Sequence, residues 1–456
     1  MVLIQDAYVL SGARTDFNSN WKKNKDNRTK GIADVYEGIS YVVNEAVNNA
    51  SNASNGFRNR DIKAAFIGNL DSAAFANQGH LASVLSTELS KVLPDYESME
   101  IYRTENACAS SGAALNLATR LIKSGEINIA LVVGAEQMRT GADVGHILAK
   151  GVDKRIDHFS HAAQAFAELA RRYMETYGID EDALFKAGGY AVENDFRNAR
   201  TNPNAQMRLN DLGYDFFKCV VEGDKTTNDY FRKNGNPRMS SLFNGDERYE
   251  PLKRYDCSQV TDGAVALILA SGDYMASLGL AEGISIAGSS LQVDKLSLTG
   301  KLTDGKLPSK FNGLNNAVNF AFNKAGLEFP EDVKKMDYIE THDCFAITQL
   351  VLLEQLGFAK SGQSVKLGKD FWDEFGPRIN PSGGLMADGH PIGATGARMM
   401  YELASRLKEE DSMGMMVNVG DVFASNYVAV LKKANITKKN RSRHHGHSCV
   451  MQEPDF

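Results

Sequence analysis

Residues 99–114 read MEIYRTENACASSGAA. Met99–Thr104 reads as a strand, and the small residues after Cys108 open a helical pattern that runs through Leu115–Lys123 to a stop at Gly125. A second strand follows at Ile127–Val133 and ends at Gly134. Strand, turn, helix and strand at this spacing argue for an α/β architecture. The pattern extends outward on both sides. Ala64–Leu70 is a short apolar run, His80–Leu93 is helical in pattern, and the start, MVLIQDAYVLSGART, reads as a first strand rather than a signal peptide, because no basic region precedes its apolar residues.

Between Ala135 and Tyr255 the character changes. Helical segments such as Ala162–Tyr177 mix with polar, irregular stretches such as Asn198–Met207, which suggests an inserted unit. Strand character returns at Gly263–Ala270 and Ile284–Ala287. The C-terminal part then repeats the opening theme: helix Asn316–Ala325, strand Met336–Thr341, helix Ile347–Leu356 closed by Gly357, a Gly-rich loop Ser382–Gly396, helix Ala397–Leu407, and strands Met415–Val419 and Tyr427–Leu431. The expected organisation is one half at 1–135 and 256–282, an inserted loop domain at 136–255, a second half at 283–433, and a flexible tail at 434–456 that carries His444, His445 and His447.

A net charge of −6 provides no overall basic field for nucleic acid. No run of about 18 apolar residues is present, so no membrane span is expected. The five cysteines, at 108, 219, 257, 344 and 449, have neither disulfide-framework nor zinc-site spacing. They suit a reducing compartment, and the chain does not end in a peroxisomal Ser-Lys-Leu signal, so a cytoplasmic location is expected.

Three stretches carry chemistry. Cys108 stands where a strand gives way to a helix, so the positive end of the helix dipole would favour its thiolate, which is expected to form well below the free-cysteine value of about 8.5. A buried, inert thiol is the alternative. His390 lies between Gly389 and Pro391 in a run where six glycines and prolines from Gly383 to Gly396 exclude a simple helix or strand. A histidine held in such a turn suits proton transfer near neutral pH, and a purely structural turn is the other reading. In Thr341-His342-Asp343-Cys344-Phe345, continued extended geometry would point His342 and Cys344 to one face at a strand end. Two ligands without partners are weak evidence for a metal, and no metal is expected; a buried structural pair is the other reading.

Together these stretches resemble the thiolase superfamily. Gly389-His390-Pro391 followed by Gly393-Ala394-Thr395-Gly396 looks like its histidine loop. His342-Asp343-Cys344-Phe345 is similar to the motif of the sterol-carrier-protein type thiolases and their archaeal and bacterial relatives. Cys108 matches the nucleophile in position and setting. Gly134-Ala135-Glu136-Gln137-Met138, Asn202-Pro203-Asn204-Ala205-Gln206-Met207 and Asp262-Gly263-Ala264 resemble other family segments. The likeness runs from about residue 3 to 433, with no lipid-transfer domain expected after it.

The resemblance implies two βαβαβαββ halves in five layers, α-β-α-β-α, with an inserted loop domain, assembled as a homodimer or homotetramer. It implies a 3-ketoacyl-CoA thiolase or acetyl-CoA acetyltransferase working through an acyl-cysteine on Cys108, in thiolytic cleavage or Claisen condensation. His390 would deprotonate Cys108, Cys344 would act as acid and base at the α-carbon, and His390 with His342 would line the hole for the thioester oxygen. Gly389, Gly420, Ser382, Gly383 and Phe345 would serve the oxyanion and substrate-binding regions. No prosthetic group is implied, because coenzyme A is part of the acyl-CoA substrate. One stretch departs from the pattern: where the family has a Gly-rich loop, this chain has Gly420-Asp421-Val422-Phe423. Asp421 would add negative potential, and Phe423 would narrow the pocket. Two competing readings follow. One is a condensing enzyme that uses another acceptor or a small acyl-CoA-binding partner subunit. The other is a non-catalytic acyl-CoA or lipid-binding protein.

Overall fold

Two apolar runs, β2 (Ala64–Gly68) and β4 (Ile129–Gln137), are buried along their whole length and pair in parallel. Such burial on both faces requires cover on both faces, and helices supply it. The structure, a computed structural model, describes residues 5–26, 31–54, 56–93, 96–205, 249, 251–253 and 256–436. The remaining strands are β1 (Ala7–Arg14), β3 (Glu100–Thr104), β5 (Asp262–Ser271), β6 (Glu282–Val293), β7 (Tyr338–Thr341), β8 (Met413–Gly420) and β9 (Ser425–Asn435). Among the described residues they join in the order β3-β2-β4-β5-β1-β6-β9-β8-β7. The two half-sheets meet through two residue pairs of β1 and β6, Tyr8↔Ser285 and Val9↔Ile284.

Helices Ser110–Ser124 and Thr395–Arg406 share one core between the half-sheets, where Leu115 and Ala118 meet Ala397, Met400 and Leu403. Val35–Ala53 and Leu81–Leu89 cover the outer face of the first half-sheet. Asn312–Ala325 and Ala346–Gln355 cover that of the second. The result is the expected sequence of five layers. Between β4 and β5 lie helices Val144–Leu148, Ala162–Tyr177 and Glu181–Ala199. Part of the expected irregular segment there, Gln206 and Met207, lies outside the described residues, as does the tail from 437 onward. Among the described residues, no helix is long and apolar enough to cross a membrane.

The second half departs from the expected five strands. Its counterpart of β3 is reduced to one bridge, Ile339↔Ile379, extended by the Asn380 amide donating to the Ile339 carbonyl at 2.8 Å. The chain cannot continue as a strand beyond this point. Asn380 turns into the left-handed region at φ 50°, and Pro381 has no N–H to offer a ladder.

Candidate active site

The turn between β3 and helix Ser110–Ser124 is tied locally. Glu105 Oε1 accepts from the Ala107 amide at 2.6 Å, Ser110 Oγ donates to the Ala107 carbonyl at 2.6 Å, and Ala107 adopts φ 50°. This tight turn presents Cys108 one residue before the helix N-cap, Ala109. The close fit of neighbouring backbone holds it there. A Cβ on Gly68 would lie 2.3 Å from Ser111 Cα, and one on Gly420 would lie 2.3 Å from the Asn106 carbonyl oxygen.

His390 comes from the opposite half. Gly389 at φ 112° swings the chain past Phe17, the His390 amide donates to Thr261 Oγ1 at 2.8 Å, and its Nδ1 lies 2.8 Å from Thr395 Oγ1. The Thr395 hydroxyl spends its one hydrogen on the Pro391 carbonyl at 3.1 Å. Its oxygen therefore accepts from Nδ1–H, which leaves Nε2 of His390 as the lone pair. His342, just past the end of β7, has the opposite arrangement. Asn418 Nδ2 donates both to the Cys108 carbonyl at 3.0 Å and to His342 Nδ1 at 3.2 Å, so Nε2 of His342 carries the hydrogen. That Nε2 is buried and has no partner.

The Cys108 sulfur and one ring nitrogen each of His342 and His390 lie within 4.8 Å of one another, and the rings meet edge to face with centroids 5.0 Å apart. The spacing also resembles a metal donor set. However, His342 presents an N–H rather than a lone pair, and burial keeps the thiol protonated. Burial, reinforced by Arg398, pushes His390 down to about 3 and His342 well below the usual histidine range, so both are neutral bases or donors at physiological pH.

The thiol of Cys108 is pushed up to about 12, chiefly by burial, with Asp421 and Glu136 adding to the rise. The backbone amides of Asp421 and of Cys108 itself oppose it. Burial of the site thus opposes the low thiolate value expected from the helix terminus. A helix terminus offers about 1 kcal/mol, less than the cost of placing charge in an apolar pocket.

A cavity of about 560 Å³ opens in front of Cys108, walled by Met138, Ile147, Leu148, Phe166, Phe345 and Ile392 among others. Cys344, buried and with its sulfur 3.8 Å from Thr348 Oγ1, lines it, and so does His390. Phe345 also lines it and stacks on Phe166 with centroids 4.0 Å apart. Extended geometry does not continue past Thr341, so Cys344 reaches the cavity by a turn rather than by strand alternation.

Four residues expected to bind substrate do not line the cavity. Ser382 faces Arg398, whose Nη1 donates to its Oγ at 2.5 Å. Gly383, at φ 104°, packs against Ala199. Gly389 and Gly420 instead allow the close approaches that set His390 and Cys108. Phe423 does not narrow the pocket either. It is buried, and its ring stacks on Phe311 with centroids 4.4 Å apart. Asp421 does line the cavity.

Sequence reasoning passed over Asn418, Thr395 and Arg398. Asn418 had left a signal, a lone amide inside the buried apolar run Met415–Val419.

Residues 8–273 match the family described as Thiolase, N-terminal domain, and residues 305–432 match Thiolase, C-terminal domain. The acetyl-CoA acetyltransferase of Methanocaldococcus jannaschii is 28% identical over 435 residues, 91% of this chain and 96% of that protein. Sterol carrier protein 2 of Rattus norvegicus is 27% identical over 324 residues, 68% of this chain and 53% of that protein. The structure of Acat5 thiolase from Ascaris suum in complex with coenzyme A superposes with a TM-score of 0.65 at 20% identity, covering 94% of this chain and 100% of that one.

Proposed function

The chain belongs to the thiolase family, and from that membership we infer an acyl-CoA acyltransferase, of 3-ketoacyl-CoA thiolase or acetyl-CoA acetyltransferase type, that works through an acyl-Cys108 intermediate. The observation that carries the site assignment is the meeting of Cys108 with two imidazoles in complementary tautomers, with Cys108 and His390 lining an apolar cavity and His342 buried behind them.

In the cleavage direction, His390 Nε2 takes the Cys108 proton as the sulfur bonds to the 3-keto carbon. This coupling matters because a thiol held near 12 has almost no free thiolate. Negative charge on the attacked oxygen would meet the amides of Cys108 and Asp421, which already point at the sulfur. The bond between the α-carbon and the former keto carbon then breaks. Its electron pair becomes the enolate of acetyl-CoA, whose thioester oxygen would accept from His342 Nε2–H and from the newly protonated His390. Cys344 supplies a proton to the α-carbon, and acetyl-CoA departs. A second coenzyme A thiol gives its proton to the Cys344 thiolate left by the previous step and attacks the acyl-Cys108 carbonyl, while the protonated His390 returns its proton to the departing Cys108 sulfur. Condensation is the reverse sequence. Asn418 is a positioning residue here, since one amide nitrogen orients both the nucleophile's backbone and His342.

The same reading divides the chain into two halves with residues 136–255 inserted as a loop domain. It assigns a cytoplasmic homodimer or homotetramer, and the free thiols of Cys108, Cys257 and Cys344 support a reducing location. The test is incubation with acetoacetyl-CoA and coenzyme A. The 3-ketothioester absorbance should decay, and Cys108→Ala should abolish the decay. Turnover that survives in Cys108→Ala would remove Cys108 from its role.

A further inference from the structure

Among the polar groups on the cavity wall whose side chains the reaction above does not use is Asp421. Asp421 is half-buried and lines the cavity. One carboxylate oxygen, Oδ1, accepts from the amide of Val422 at 2.9 Å. The buried cation Lys301 attracts this carboxylate but forms no hydrogen bond with it: its Nζ donates to the Val422 carbonyl at 2.7 Å and reaches the Leu296 carbonyl at 3.4 Å. Beside Oδ2 stands Gly151, where an added Cβ would lie at 3.6 Å, ordinary contact distance, so no side chain from that position covers the oxygen. The other acids on the wall, Asp71 and Glu105, likewise accept from backbone amides, of Ala74 and Ala107, but the amide of neither points at the Cys108 sulfur. The lysine on the wall, Lys150, is exposed.

Asp421 sits at φ 55°, a left-handed position that aspartate tolerates better than most residues. The amide of this residue points at the Cys108 sulfur. Its carboxylate therefore stands beside whatever acyl group the sulfur carries. Among the described residues no hydrogen bond reaches Oδ2, so a ligand hydroxyl that donates to it would form a charge-assisted hydrogen bond at the cavity wall. An uncharged donor suits the place better than a cation, because the apolar wall would strip a cation of its hydration.

Resting on the acyl-Cys108 reading above, we propose that Asp421 is a specificity-determining residue that accepts a hydrogen bond from a hydroxyl on the acyl chain, so that hydroxyacyl-CoA thioesters are preferred over their plain counterparts.

The test compares rates of Cys108 acylation, read by intact-mass spectrometry, for butanoyl-CoA and hydroxybutanoyl-CoA. Wild-type protein should favour the hydroxylated substrate by about 10- to 100-fold, the range of a hydrogen bond to a charged group. Asp421→Gly, which suits the positive φ, should bring the ratio near unity, and Asp421→Asn should leave a reduced preference. Using the ratio cancels any common loss of rate in a variant. Equal acylation by both substrates in the wild type, or a preference that persists in Asp421→Gly, overturns this proposal while leaving the role of Cys108 intact. No adduct on Cys108 from either substrate overturns the acyl-cysteine reading and this one with it.

Discussion

At the scale of single residues, the site works by keeping its groups neutral. Burial holds the Cys108 thiol near 12 and the His390 ring near 3, so thiol and imidazole face each other uncharged until substrate arrives. Alkylation of the free protein by iodoacetamide should therefore keep accelerating past pH 9, with no plateau below pH 8, when Cys108 is followed by peptide mapping. Saturation by about pH 7 would mean that the helix terminus outweighs burial after all. The sequence displayed Cys108, His390 and Cys344 through their surroundings, since small residues, glycines and a strand end are local signals. It did not display tautomers. Those depend on Thr395, five residues from His390 in the same loop, whose hydroxyl direction no pattern reports, and on Asn418, which reaches His342 across 76 residues of chain.

Among the elements, position comes from close backbone approach rather than from side-chain bulk. β2 lies so near the start of helix Ser110–Ser124 that residue 68 has room only for hydrogen, with Ser111 N and Cα both 2.3 Å from a hypothetical Cβ. Backbone atoms cannot swing aside as a side-chain tip can. Gly68→Ala should displace the helix start by about 1 Å and lower kcat about 100-fold, the usual cost of such a shift at a reacting centre. Thiolase assay of the variant checks this, and an unchanged kcat would mean that the turn adjusts independently of β2. The alternation of strands and helices was legible because buried strands and amphipathic helices print their periods on the sequence. Ala162–Tyr177 emerges with the same ends in sequence and structure. The missing strand of the second half was not legible. Its replacement by a single bridge follows from the left-handed turn at Asn380, a tertiary choice that no residue type dictates.

For the whole molecule, catalysis requires that the two halves stay in register, because Cys108 belongs to one and the histidines to the other. Arg14, on β1 of the first half, reaches across to the second. Its Nη1 and Nη2 lie 2.6 and 2.8 Å from the two carboxylate oxygens of Asp388, and Nη1 also reaches Glu402 at 2.7 Å. All three side chains are buried, and Asp388 stands two residues before His390. A buried pair adds little net stability when intact, but removing one partner strands the other, at about 3–5 kcal/mol. Arg14→Ala should therefore destabilise the protein by about that amount at pH 7, measured by urea titration, and lower kcat through the displaced His390 loop. The deficit should depend on pH. Arg14, together with Arg406 and Arg398, holds the Glu402 carboxyl below its usual range, so its stabilising contribution is present above the ordinary carboxylate pKa and is lost as pH falls. In the variant, the Glu402 carboxyl loses its strongest cationic partner and can protonate, so the gap from wild type should narrow toward pH 4. Arg14→Lys, which keeps the charge but not the two-pronged contact, should fall between the two. A variant as stable as wild type at pH 7 would show that the halves are held by their shared apolar core alone, with the ion cluster a passenger.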